Sequence, residues 1–475
     1  MITATADTNA ALGGDDYNKG YVWMISIVAA MGGLLFGYDW VVIGGAKPFY
    51  EKFFALTDAN SQGWAMSCAL IGCLIGALAA GTASDRFGRK RLLILSALLF
   101  MVSSVFTGLA QSFNAFILWR IIGGLAIGLA SALSPLYIAE VSPAKVRGRM
   151  VALNQFTVVI GILLAQVVNL LIAEPIAANA TAADILVSWN GQTGWRWMFG
   201  VTAVPAILFL VTAFLIPESP RWLTKMGRVE EARTILARIF NPARADEVVR
   251  EIKSSMQSES AGGSESINWK AMLDPKVKKA LTIGIVLAVF QQWCGINVIF
   301  NYAEEIFTNA GYAVGDILFN IVITGAVNVV FTIAALGLVD RWGRRPLMLF
   351  GAASLAISYA LLGACYAYQI HGTAVLVLVL VAIGCYAVSL APITWVVISE
   401  IFPNRVRGTA TSLAVGALWV ACFLLTYTFP FLNQALGAAG TFWIYGGICA
   451  LGFVFVFFKL PETKGKSLEE LEASL

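Results

Sequence analysis

Charge is scarce in this sequence. Lys, Arg, Asp and Glu make up 13% of the 475 residues against 59% hydrophobic residues, and mean hydropathy is +0.77. That balance excludes an ordinary water-soluble chain of this length. His371 is the single histidine. It falls in a polar connection, where solvation accounts for it better than chemistry does. No G-x-x-x-x-G-K-[ST] run is present, so ATP is not the expected energy source. Paired carboxylates placed as in glycosidases are also missing. Cys68, Cys73, Cys294, Cys365, Cys385, Cys422 and Cys449 all fall in apolar segments without metal-ligand spacing, which makes them helix-packing residues. Neither a metal nor a cofactor is expected, and the chain reads as a non-enzyme. The polar start, with Asp7, Asp15 and Asp16, is not a signal peptide.

What is present is a set of apolar windows of about 20 residues, each long enough to cross a bilayer as a helix. Twelve are expected, near 21–46, 64–84, 92–111, 116–140, 151–173, 196–216, 280–306, 315–338, 347–369, 374–400, 411–431 and 441–459. The chain therefore divides into a tail (1–20), a six-helix bundle (21–216), a charged helical linker domain (217–279), a second six-helix bundle (280–460) and a C-terminal tail (461–475). Within the linker, 229–240 and 246–256 have helical spacing, and 254–266 reads as a Ser/Gly/Glu linker.

Short loops on one side hold Arg86, Arg89, Lys90, Arg91, Lys145, Arg147, Arg149, Arg341, Arg344, Arg345, Arg405 and Arg407. The other side holds Lys47 and Lys52, apart from Arg196 at a span start. This asymmetry predicts that both termini are cytoplasmic. An N-glycosylation pattern at Asn179 lies in an outside loop and carries little weight.

The chain repeats itself after about half its length. Asp85 to Lys90 follows the second span as Asp340 to Arg345 follows the eighth; Glu140 with Arg147 matches Glu400 with Arg407; Pro217-Glu218 matches Pro461-Glu462. An even number of spans per repeat restores orientation, so the repeats are parallel and face each other across a cavity. Asp85, Arg89, Glu140, Arg147, Glu218, Asp340, Arg344, Glu400, Arg407 and Glu462 are candidates for ion pairs that shut the cytoplasmic side. The alternative is topology signalling alone.

Gln291, Gln292, Asn297 and Asn301 place four amides around Gly295, deep in the seventh span. Uncharged groups that both donate and accept suit a neutral polyhydroxyl ligand, and Gly295 invites a broken helix lining a cavity. Helix-to-helix glue is the alternative. Asp39, about 27 Å along the first span from Tyr21, and Arg120, just inside the fourth, both fall in the outer half and can pair. A carboxylate whose partner can leave takes up a proton, so the pair is either a coupling device or a fixed clamp. Trp395 and Trp419 can face a sugar ring or mark the interface belt.

Together these motifs identify a resemblance covering nearly the whole chain. DRFGRK at 85–90, RIIGGLAIG at 120–128, NQF at 154–156, PESPRWL at 217–223, QQWCGIN at 291–297, DRWGRRP at 340–346 and PETKGKSLEE at 461–470 resemble the sugar porter family of the major facilitator superfamily. Within it, the bacterial D-xylose/proton symporters are most similar. The resemblance implies an all-α membrane protein of two six-helix pseudo-repeats, Asp39 as proton-coupling carboxylate and Arg120 as its partner. It also implies sugar contacts at Gln155, Gln291, Gln292, Asn297, Asn328 and Trp395, with Trp419 and Phe36 close by. Ala391, Asn301 and Leu418 depart from the family pattern near the expected pocket. The expected activity is proton-coupled import of a monosaccharide by a monomer in the bacterial inner membrane. The partners are sugar, proton and membrane lipid, and not nucleic acid. A proton-independent facilitator or a sugar-sensing receptor are the alternatives.

Overall fold

The computed structural model describes residues 17–177, 180–261, 274–312, 314–402 and 406–464. Residues 1–16, Asn179, Arg405, the later part of the Ser/Gly/Glu stretch and the tail beyond Lys464 lie outside the described residues, as do the side chains of Asp340 and Arg407. Among the described residues all regular structure is helical.

The first half comprises α1 (Lys19–Phe53), α2 (Ala59–Phe87), α3 (Arg89–Leu109), α4 (Phe113–Val141) and α5 (Arg147–Ile172). A short α6 (Ala182–Val187) follows, then a π-helical turn (Asn190–Gly194) leading into α7 (Trp195–Gly200) and α8 (Ala203–Leu215). Helix starts fall where an oxygen-bearing side chain can take an orphan amide. Asn18 accepts from Tyr21, Asp58 from Ser61 and Ser112 from Ala115. The linker domain contributes α9 (Pro220–Lys225), α10 (Val229–Ile239) and α11 (Pro242–Ala261), so helix continues through the first part of the expected linker. Trp222, Leu223, Ala232, Leu236, Ala245 and Val249 form its small apolar centres.

The second half runs α12 (Pro275–Trp293), α13 (Ile296–Asn301), α14 (Ala303–Asn309), α15 (Val314–Trp342), α16 (Arg344–Ala367), α17 (Thr373–Val388), α18 (Leu390–Ile401) and α19 (Arg407–Lys459). Its breaks have separate causes. Gly295 takes φ 85°, a left-handed conformation that glycine adopts at little cost, and parts α12 from α13 as expected. The break between α17 and α18 was not expected; Pro392 lacks an N–H and its ring crowds the carbonyl four residues back, which interrupts the helix at Val388 and Ser389. Gly437, at φ 67° and ψ 177°, folds α19 back on itself, so that one stretch makes two crossings.

Eleven described stretches are apolar and long enough to span a membrane, the last containing that fold-back, which gives twelve crossings. The polarity is inverted relative to a soluble protein. Leu171, Val204, Leu215 and Phe458 face outward, while Asp39, Arg120, Gln291 and Asn328 are buried. The halves meet where α2 packs on α19, α5 on α15, and α1 on α13 and α14.

Candidate functional site

Asp39 and Arg120 do come together. The guanidinium Nη1 donates to both carboxylate oxygens of Asp39 at 2.9 Å, and Nη2 reaches its backbone carbonyl at 3.5 Å. Both side chains are about 95% hidden, at 5% and 4% exposure. Arg120 also lies over the Phe199 ring, 5.4 Å from its centre. In hydrocarbon such a pair is stable only while it is intact, because either partner alone is an uncompensated charge.

The amides of α12 and α13 form a chain. Gln291 donates to the Ala391 carbonyl at 3.5 Å, Gln292 to Gln291 Oε1 at 3.0 Å, and Asn297 to Gln292 Oε1. Each amide is occupied by a neighbour that a ligand hydroxyl can replace without a change of charge. Beside them stands an aromatic group that joins the halves. Phe36 and Trp40 of α1 lie 6.2 and 6.0 Å from Trp419 of α19, and 6.0 Å from each other. Trp419 is buried, and its Nε1 has no hydrogen-bond partner among the described residues, which marks a donor available for a ligand or water. Asn328 is buried on α15. Gln155 and Trp395 are exposed on α5 and α18 and join neither the amide chain nor the aromatic group. Of the departures from the family pattern, Ala391 supplies the carbonyl to Gln291, while Asn301 and Leu418 are buried.

The arginine-rich motifs assemble twice on the same plan, and among the described residues their bonds stay within their own half. Arg89 Nε and Nη2 hold Glu140 at 3.0 Å, and Nη1 reaches Asp85 at 3.1 Å. Among the described residues Glu218 has no ion pair with an arginine side chain: its carboxylate accepts the backbone amides of Arg89 and Lys90 at 2.9 and 3.1 Å, capping α3. In the second half Arg344 reaches Glu400 at 3.1 Å, and Glu462 accepts the amides of Arg344 and Arg345 at 3.0 and 3.1 Å, capping α16. Gly88 and Gly343 make both caps possible. Each takes φ 90°, and a Cβ on either would run into the capping carboxylate. Burial pushes the Glu462 carboxyl up, but the amides of Lys464, Arg344, Arg345 and Thr463 outweigh it and hold the group below its usual value. Arg147 is exposed at the start of α5. The linker domain docks on the same end, through Lys225 to Asp85 at 3.1 Å and Trp222 Nε1 to the Asp85 carbonyl at 2.9 Å.

By its place just beyond the first apolar window, Lys47 reads as a residue of a short outer loop. The structure corrects this: α1 continues to Phe53, and Lys47 lies in it at 2% exposure, bonded to acids of both halves. Trp40 was likewise passed over. The available signals were Lys47 and Glu51 one helical turn apart and Trp40 adjoining Asp39.

Two parallel six-helix halves around buried polar groups define a membrane transporter of the major facilitator type. Residues 25–475 match the family model described as "Sugar (and other) transporter", and the chain belongs to that family, whose members are transporters and not enzymes. It is 39% identical to the D-xylose-proton symporter of Escherichia coli strain K12, over 96% of each chain. Identity to the arabinose-proton symporter of Bacillus subtilis strain 168 is also 39%, over 96% of this chain and 95% of the relative. The inward open conformation of the xylose transporter XylE from E. coli superposes with a TM-score of 0.82 at 38% identity, covering 96% of this chain and all of that one.

Proposed function

We propose that this protein imports a monosaccharide, D-xylose or a related pentose or hexose, together with a proton by alternating access. The observation that carries the reading is the isolated, fully buried Asp39–Arg120 pair beside an uncharged amide and aromatic site. Relatives named for proton-coupled pentose transport support it.

In this reading Gln291, Gln292 and Asn297 exchange the hydrogen bonds of the amide chain for sugar hydroxyls, Asn328 adds its own buried amide, and the Trp419 indole offers a face and an N–H. Gln155 and Trp395 join once the halves rearrange around the sugar. Asp39 is unprotonated while Arg120 holds it; protonation weakens the pairing, and proton release restores it. Sugar binding then shifts the population toward an occluded state. The lysine and arginine asymmetry supports a cytoplasmic arginine-rich end in the bacterial inner membrane, with both termini on that side. Closure at the opposite end, together with likeness to an inward open structure, supports an inward-facing state.

The test is sugar-driven proton uptake in proteoliposomes, followed as external alkalinisation with xylose, arabinose, glucose or galactose, for the wild type and Asp39→Asn. Alkalinisation should vanish in the variant while counterflow of labelled sugar persists. Sugar movement without any pH change in the wild type would instead indicate a facilitator.

A further inference from the structure

Outside the site, a cluster of acids around the buried Lys47 joins α1 to α14. Lys47 Nζ lies 2.6 Å from Glu305, 3.7 Å from Glu304 and 3.1 Å from Glu51, with the acids 21%, 18% and 13% exposed. Glu51 shares the lysine's helix, whereas Glu304 and Glu305 begin α14 in the other half. The Tyr302 ring lies 5.7 Å from the ammonium, and the neighbouring Lys52 donates to the Pro48 carbonyl at 2.9 Å.

The helices themselves touch beside this cluster. A Cβ on Gly44 would stand 2.9 Å from the Phe300 carbonyl oxygen and 3.1 Å from that of Asn301, so α1 and α13 are already at backbone contact. Tyr302 ties the start of α14 to α19, through its hydroxyl to the Thr426 carbonyl at 2.7 Å and its ring 4.3 Å from Phe429. Lys47 therefore bonds to an element anchored in the second half.

We propose that Lys47, with Glu305 and Glu304, is a latch that holds the end opposite the arginine-rich motifs shut, and that it must part whenever the transporter opens to that side. A bond between halves exists only in the arrangement that brings them together, so it biases populations as well as stability. The charges are unequal: three carboxylates share one ammonium. Without Lys47, Glu51 faces Glu304 and Glu305 as like charges across the seam, and attraction becomes repulsion. Without the Glu305 charge, Lys47 keeps two partners. Loss of the lysine should therefore open this end more than loss of the acid.

The inference rests on alternating access, and not on the identity of the sugar or the coupling ion. Spin labels at Asn114→Cys and Gln434→Cys, exposed at this end of each half, report its width in the full chain in lipid nanodiscs without sugar. Cys385, the native cysteine that is not buried, is replaced by Ala. Lys47→Met should raise the ratio of long to short distances by about tenfold or more. Glu305→Gln should raise it less, and the exchange Lys47→Glu with Glu305→Lys should bring it back. Wild-type distributions in both single variants would overturn the latch. If Lys47→Met does not fold, the near-isosteric Glu305→Gln decides alone. A distance shift without sugar-driven proton uptake would keep the latch and reject the symport reading.

Discussion

At the arginine-rich end Arg89 holds Glu140 and Asp85 of its own half, and Arg344 holds Glu400 of its own; at the opposite end Lys47 of the first half holds Glu305 of the second. The chemistry is the same and the consequence differs. A pair within a half survives any rigid movement of the halves, so its free energy counts toward folding. A pair between halves is made in one arrangement and lost in the other, so its free energy counts toward which arrangement is populated. The repeated motifs were expected to bridge the halves. The bonds described for Arg89, Glu140, Glu218, Arg344 and Glu462 are internal instead, and among the described residues the Lys47–Glu305 pair, which does cross between the halves, has no counterpart in the repeat.

Three further variants would break or sharpen this comparison. Arg89→Met leaves Glu140 buried without its partner and should lower unfolding stability by about 3 kcal/mol, with the Asn114–Gln434 distance distribution unchanged. A shift in that distribution would show that the motif also acts between halves. Arg344→Met should cost less, about 1 kcal/mol, because its pair is 16% and 28% exposed where Arg89 and Glu140 are 9% and 6%. Equal losses in thermal unfolding would mean that burial does not grade the two halves.

The smallest effect is expected for Glu462→Gln, roughly 0.5 kcal/mol at neutral pH through a weakened cap on α16. Its sign with pH follows from the depressed carboxyl. The contribution is present above the unfolded-state pKa and is lost as pH falls through the lower folded one. Wild type and variant should therefore converge in acid. A difference that persisted there would place the stabilisation in packing and not in charge.

Much of the architecture was legible because it follows from local cost. A span of hydrocarbon requires about 20 apolar residues, so the twelve crossings could be counted, and a fold-back at Gly437 changes only how the last two are joined. Gly295 announced its break because a glycine among amides inside a span has few other uses. Asp39 and Arg120 announced each other, since two opposite charges at matching depth in an apolar chain have no cheaper solution than pairing. The interruption at Ser389 is not legible from Pro392 alone. In a membrane helix a proline can bend the chain or break it, and neighbouring helices determine which.

The sequence by itself determined the fold class, the count of crossings and the buried ion pair, because each rests on the price of placing polar groups in lipid, and the parallel halves, because the charged motifs recur after an even number of spans. Tertiary structure decided what lies across the seam. Lys47 reads as a loop residue until α14 supplies Glu304 and Glu305, and Glu218 and Glu462 read as ion-pair partners until two helix N-termini present their amides. Trp40 becomes part of a site only when Trp419 arrives 6.0 Å away. These roles depend on contacts between residues far apart in the chain, and hydropathy and spacing record the cost of burying a group without recording which partner offsets it.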